Sequence, residues 1–264
     1  MPIHFHLSAH GIGDAVVGLY AACGLADTGR EVVFHCRRWE WLAGVSHPGV
    51  TVEPWRADIG IDANGEYRSQ ERAATGGTCR TRGQWYCDHI SRAAGIPSFT
   101  PSRPECVVRP EPVITPGYTL IAPYTHADRS REWSDQGWRE LVGRLAPRRV
   151  VAVGENLRRP RLRTTFAGCE VHVSKSPAFV LSLVANADFV YGVDSGVSHL
   201  AGLYDVPGMV VMVGFPFRFV FGEAASLEGF DPADRIPLPV LPQHELNRTL
   251  HVREQSLVGA GEVG

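Results

Sequence analysis

Lysine is almost missing from this sequence: Lys175 stands alone against 25 arginines in 264 residues. Any side-chain cation that holds an anion must therefore be an arginine, whose planar fork grips a phosphate or carboxylate at two points. A dominant charge of one sign is also lacking, and a net charge of −2 argues against non-specific binding to nucleic acid. No uncharged apolar run reaches the roughly 18 residues of a membrane span. The nearest to one, Pro207 to Pro216, reads as a buried strand. The start, Met1 to Leu7, has neither a basic stretch nor a small-residue cleavage site; it reads as a first strand and predicts a cytoplasmic protein. Six scattered cysteines form no C-x-x-C pair, which argues against a zinc ribbon or a disulfide scaffold and predicts free thiols. His4 and His6 share a strand face without a third ligand nearby, a poor zinc site. Walker A and Gly-x-Ser-x-Gly sequences are absent as well.

What is present is an alternation of apolar runs with helical patterns. Strands are expected at Ile3–Leu7, Glu31–His35 and Thr51–Pro54, with a helix over Asp14–Thr28. Residues 56–90 carry little periodicity and read as loops, with one helix near Gln84–Ala94. Five prolines between residues 101 and 116 predict an extended connector. The alternation then restarts: strands Tyr118–Ala122, Arg149–Val153, Phe189–Val193 and Met209–Val213, and helices Asp135–Leu145, Ala178–Asn186 and Ser195–Leu203. The expected organisation is a first lobe over 1–108, a proline-rich linker over 109–117, a second lobe over 118–258 and a disordered tail over 259–264. Phe215, Phe217, Phe219 and Phe221 alternate with other residues and suggest a strand or aromatic wall serving the core.

The most informative segment runs from Phe189 through Asp194-Ser195-Gly196-Val197-Ser198-His199 to Pro207. An apolar strand ends in Asp-Ser-Gly and a helix opens at once, so unbonded N–H groups and the positive end of the helix dipole point out from the sheet edge. That is an anion site. Gly196 lets backbone approach a phosphate, Ser195 and Ser198 offer hydroxyls, and Asp194 can accept from sugar hydroxyls. The alternative is an ordinary helix cap, with His199 a packed helix residue. Near the amino terminus, His10-Gly11-Ile12-Gly13-Asp14 follows a strand and precedes a helix. Gly11 and Gly13 free the backbone to approach a ligand, and Asp14 could take a proton from a hydroxyl or simply cap the helix. As a dinucleotide fingerprint the turn fails, because Val16 stands at the third glycine position.

The Asp194–Leu203 segment resembles glycosyltransferase family 9, the heptosyltransferase-like enzymes, in its Asp-Ser/Thr-Gly-x-x-His-Leu pattern followed by Pro207; Gly202 and Leu203 depart from the usual small-residue spacing. The Gly11–Asp14 turn resembles that family's Gly-x-Gly-Asp. The run Ile121 to Trp138 resembles its Lys-x-Trp-Pro-x-x-x-Trp element, with Arg131 in the lysine place and Ser134 in the proline place. The resemblance implies an α/β protein of the GT-B fold, two Rossmann-like lobes with parallel sheets facing across a cleft. It implies that Asp194, Ser195, Gly196, Val197 and His199 hold the diphosphate and sugar of a nucleotide-sugar donor, and that Asp14 is the general base. A cation at Arg131, with Arg129 as a second, would neutralise the departing diphosphate. Glu155, after the strand ending at Gly154, is placed to accept from ribose hydroxyls or to serve as a turn residue. Trp133 and Trp138 read as core anchors, and Arg158, Arg159, Arg161 and Arg163 as a solvated basic face.

No Asp-x-Asp occurs, which removes the metal-chelating pattern of the other large glycosyltransferase class. The expectation is a metal-independent, inverting transfer of a sugar, such as a heptose, to an acceptor hydroxyl, with no cofactor beyond the nucleotide-diphosphate sugar substrate. Glycolipid core, natural product and modified nucleobase all stand as acceptors. Rival expectations are a nucleotide-sugar-binding protein without transfer, and an epimerase or hydrolase acting on nucleotide sugars with the same two lobes.

Overall fold

The structure, a computed structural model, describes residues 1–8, 11–63, 81–125, 131–155, 158–173, 175–212, 220–221 and 223–230. The expectations for His10, Arg129, Phe215, Phe217, Phe219 and the 259–264 tail lie outside these residues.

The first lobe is built on a parallel sheet ordered β4-β2-β1-β5, from β1 (Ile3–Leu7), β2 (Val32–Cys36), β4 (Val50–Pro54) and β5 (Ile61–Asp62). Between β1 and β2 runs α1 (Ile12–Ala26), apolar around nearly its whole circumference and buried from Ala15 to Ala26. A helix of that kind needs neighbours on every side. Here they are the first sheet, α2 (Arg82–Ala94) and a helix of the second lobe. The helix starts two residues before Asp14, and α2 starts two before Gln84. β5 falls where only loops were expected; two residues carry no period to read.

The second lobe is a six-stranded parallel sheet, β12-β11-β10-β7-β8-β9. Its strands are β7 (Thr119–Ala122), β8 (Val150–Gly154), β9 (Glu170–Val173), β10 (Phe189–Val193), β11 (Gly208–Val211) and β12 (Leu227–Phe230). The helices α3 (Asp135–Leu145), α4 (Arg159–Thr165), α5 (Pro177–Ala185) and α6 (Gly196–Leu203) join them. The chain builds outward from β7 to β9, then returns through α5 to lay β10 against the other side of β7. That reversal is the switch point at which open α/β sheets place their ligands. β9, β12 and α4 were not expected. The two strands sit at the sheet edges with mixed sequences, EVHV and LEGF, and α4 is a seven-residue arginine-rich turn opened by Pro160.

The proline-rich stretch is fastened at both ends. Its β6 (Cys106–Val107) pairs antiparallel with β3 (Val45–Ser46) of the first lobe. Arg109 then donates to the Ala185 carbonyl at 2.6 Å and the Tyr204 carbonyl at 2.8 Å, at the carboxyl ends of α5 and α6. Arg103 donates to the carbonyls of Gly202 and Leu203 at 3.0 Å each and pairs with Asp205. One apolar cluster, from Phe5 and Phe34 through α1 to Leu200 and Val220, runs through both lobes. A second, around Trp138, Leu141 and Phe166, fills the far face of the second sheet.

Candidate functional site

β7 and β10 are neighbours, with Ala122 opposite Gly192, so whatever follows each strand emerges at the same edge. After β10 come Asp194 and Ser195; beyond β7 comes Arg131. The Arg131 Nη1 reaches Asp194 Oδ2 at 2.9 Å, which joins two residues 63 positions apart. Asp194 is 7% exposed. Burial works against its carboxylate, but His199, Arg82 and Arg131 outweigh that and hold its pKa below the ordinary aspartate range. His199 Nε2 lies 3.8 Å from Asp194 Oδ1, an electrostatic contact longer than a hydrogen bond.

Ser195 occupies the cap position of α6 in extended backbone, yet its hydroxyl makes no cap bond. Its Oγ is buried without a hydrogen-bond partner among the described residues, and so is His199 Nε2. The ordinary-cap alternative therefore does not account for the serine. Two orphaned polar atoms at a helix amino terminus are what an absent anion would satisfy. Ser198 behaves differently. It is fully buried and donates to the Val193 carbonyl at 2.7 Å, locking the first helical turn to the strand end. Its hydroxyl proton is spent on that bond.

The first-lobe turn meets this one directly, because α1 packs on α6. A Cβ on Gly13 would sit 2.5 Å from His199 Cδ2, and one on Gly196 would sit 2.5 Å from Ile12 Cβ. Both glycines are needed where two backbones approach. The cap position of α1 belongs to Gly11, so Asp14 lies inside the first turn and is not the cap. Its carboxylate lies 3.4 Å from the Tyr86 hydroxyl and 3.6 Å from Arg82 Nη1, with the side chain 23% exposed.

Arg82 and Glu223 were missed by sequence reasoning. Arg82 is 5% exposed at the first turn of α2. Glu223 accepts from the Thr81 hydroxyl, and burial raises its pKa above the ordinary glutamate range. Neither belongs to a spaced motif; the one available signal was an arginine directly after Thr81, a helix-capping residue, and that pattern is common on surfaces.

Glu155 stands exposed just beyond β8, at the same carboxyl edge. Trp133 and Trp138 pack edge to face at 5.0 Å in the core, as expected. The arginine run is half corrected. Arg159 and Arg163 are exposed, whereas Arg158 and Arg161 pair with Glu132, whose side chain is 3% exposed, and Arg161 also holds Asp135 at 2.8 Å. Among the described residues, no group of three or more His, Cys, Asp or Glu is arranged to hold a metal ion, and no helix is long and apolar enough to cross a membrane.

No family model matches the chain. Over 87 residues it is 37% identical to lipopolysaccharide heptosyltransferase 1 of Escherichia coli (strain K12), a match covering 31% of this chain and 27% of that protein. The sequence likeness thus spans about a quarter of the curated relative's length. The fold likeness spans the whole chain. E. coli heptosyltransferase WaaC with ADP aligns with a TM-score of 0.60 at 18% identity, over 94% of this chain and 98% of that one. A glycosyl transferase family 9 protein from Veillonella parvula DSM 2008 aligns at 0.60 and 11% identity, over 100% and 92%. E. coli ADP-heptose lps heptosyltransferase II aligns at 0.57 and 12% identity, over 96% and 99%. The fold is GT-B, as the Asp194 and Gly11–Asp14 turns implied, and over 87 residues the sequence is similar to a heptosyltransferase.

Proposed function

We propose that the chain is an inverting, metal-independent glycosyltransferase that moves a sugar from a nucleotide-diphosphate donor to an acceptor hydroxyl. The observation that carries this reading is the orphaned pair at the start of α6, Ser195 Oγ and His199 Nε2, beside the buried Asp194–Arg131 ion pair. A diphosphate at that turn would accept from the first-turn amides and from Ser195, and Arg131 would turn from Asp194 toward the leaving oxygen. Asp194 would then accept from sugar hydroxyls. From the opposite lobe Asp14 takes the acceptor proton as the acceptor oxygen bonds to the anomeric carbon and the bond to the diphosphate breaks on the other face. Attack opposite the leaving group inverts that carbon. Glu155, at the edge beyond β8, is assigned to the ribose hydroxyls.

The similarity to proteins described with ADP and as acting on lipopolysaccharide makes ADP-heptose the first donor to test and a glycolipid core the first acceptor. Calorimetry against a panel of nucleoside diphosphates should show binding of ADP; no binding of any member removes the reading. Nucleotide release that depends on acceptor marks a transferase, release without acceptor a hydrolase, and binding without release a binding protein. Asp14→Asn should lower transfer by roughly 10²- to 10⁴-fold, the usual worth of a positioned base, while ADP affinity stays within about twofold; unchanged turnover removes Asp14 as base.

A further inference from the structure

We propose that occupation of the α6 turn by a diphosphate is coupled to uptake of a proton by Glu223. The inference rests on reading that turn as an anion site and adds a response of the protein to its ligand. Glu223 comes from the segment leading into β12, yet it is seated on the first lobe. The Thr81 hydroxyl at the cap of α2 donates to its Oε1, and Thr81 Oγ1 itself accepts from the Gln84 amide at 3.1 Å. A Cβ on Gly83 would lie 2.6 Å from the same carboxylate oxygen, so the carboxyl rests against the opening turn of α2. Two residues earlier, Phe221 stacks on the His199 ring with centroids 4.4 Å apart, which pins this segment to α6.

The groups that face Glu223 come from three helices: Arg82 and Cys87 on α2, Tyr20 on α1, and His199 on α6. Arg82 and His199 also act on Asp194, and Arg82 lies 3.6 Å from Asp14. Glu223 and the anion turn thus share two neighbours. Arg82 faces the carboxylate of Asp14, and Arg131 pairs with that of Asp194. A charged Glu223 adds a third carboxylate, beside Asp14 and Asp194, to those Arg82 acts on, in a setting where burial already favours its protonated form. A diphosphate adds further negative charge to the same cluster. The least costly response is transfer of a proton from solvent to a Glu223 oxygen, which forms one O–H bond and leaves the bond to Thr81 in place.

Titration of ADP into the protein in two buffers of different ionisation enthalpy, between about pH 7 and 8.5, reads this directly, since a phosphate's second proton is already lost in that range. The expected result is net uptake of up to about one proton per ADP, with ADP affinity falling by up to about tenfold per pH unit. Glu223→Gln, which keeps an acceptor for Thr81, should abolish the uptake and flatten that slope. ADP binding with no buffer dependence in the unaltered protein overturns the coupling while leaving the anion site standing, and needs no variant to fold. Uptake that survives Glu223→Gln also overturns it. Absence of ADP binding overturns the site itself.

Discussion

Gly13 and Gly196 decide how closely the lobes meet. Each lacks a Cβ at a point where one would fall 2.5 Å from the opposite lobe, at His199 and Ile12 respectively. Gly13→Ala must push His199 off Phe221 or move α1 off α6. Overpacking of this kind costs about 1–3 kcal/mol. Urea unfolding should show that loss together with weaker ADP binding; a variant as stable as the parent would mean the lobes slide apart freely. Asp194 and Glu223 act on stability in opposite directions. The folded-state pKa of Asp194 is depressed, so its contribution is present above the ordinary value of 3.8 and is lost as pH falls through the folded value. Glu223 has a raised folded-state pKa, so the folded protein holds a proton that the unfolded chain releases, and stability falls as pH climbs from 4.5 toward the folded value. Glu223→Gln should therefore stabilise the protein more at pH 7 than at pH 4. Equal effects at the two pH values would place Glu223 in water.

At the scale of elements, the connector is held by arginines rather than by prolines. Arg109 closes the carboxyl ends of α5 and α6 with two short hydrogen bonds to carbonyls that have no helical partner. Arg109→Ala leaves both unpaired and should cost about 1–3 kcal/mol, with Arg109→Lys recovering only part because a single ammonium lacks the fork. Thermal unfolding of the two variants checks this; a melting temperature unchanged in Arg109→Ala would show the connector to be loose. Helices and central strands were legible because their burial writes a period into the chain: Leu120, Ile121 and Ala122 in β7, or the apolar Pro177–Ala185 of α5. β5, β9 and β12 were not, because an edge or two-residue strand needs no such run. The Asp194 turn was legible through local spacing. Resemblance gave Arg131 only as a cation for the diphosphate; its bond to Asp194 is a structural finding, made because β7 and β10 are neighbours although far apart in the chain. Arg82 and Glu223 were illegible because their settings are built by contacts far apart in the chain, Arg82 with Asp14 and Glu223 with Thr81, which no local pattern encodes.

At the scale of the whole molecule, that contact makes the lobes interdependent. α1 touches the first sheet, α2 and α6 at once, and its apolar surface extends into the cluster that carries Leu120, Val190 and Leu203 of the second lobe. Separating the lobes would expose the α6-facing side of α1 to water at roughly 25 cal/mol per Å² of apolar surface, and it would strip Arg82 and Glu223 of their cross-lobe partners. The first lobe shares its core with the second, which keeps only the cluster around Trp138 to itself. Heating should therefore give one transition whose calorimetric and van't Hoff enthalpies agree, and ADP, held at a turn that both lobes build, should raise the whole transition without splitting it. At 100 times its dissociation constant a ligand of the folded state adds about 2.7 kcal/mol, a shift readily seen by scanning calorimetry. Two resolved transitions, with ADP moving only the one that contains the second sheet, would show that the lobes fold independently and that the donor is held without the first. In that event Asp14 would reach the donor only after a separate closing step, and Gly13→Ala would slow turnover while leaving ADP affinity unchanged.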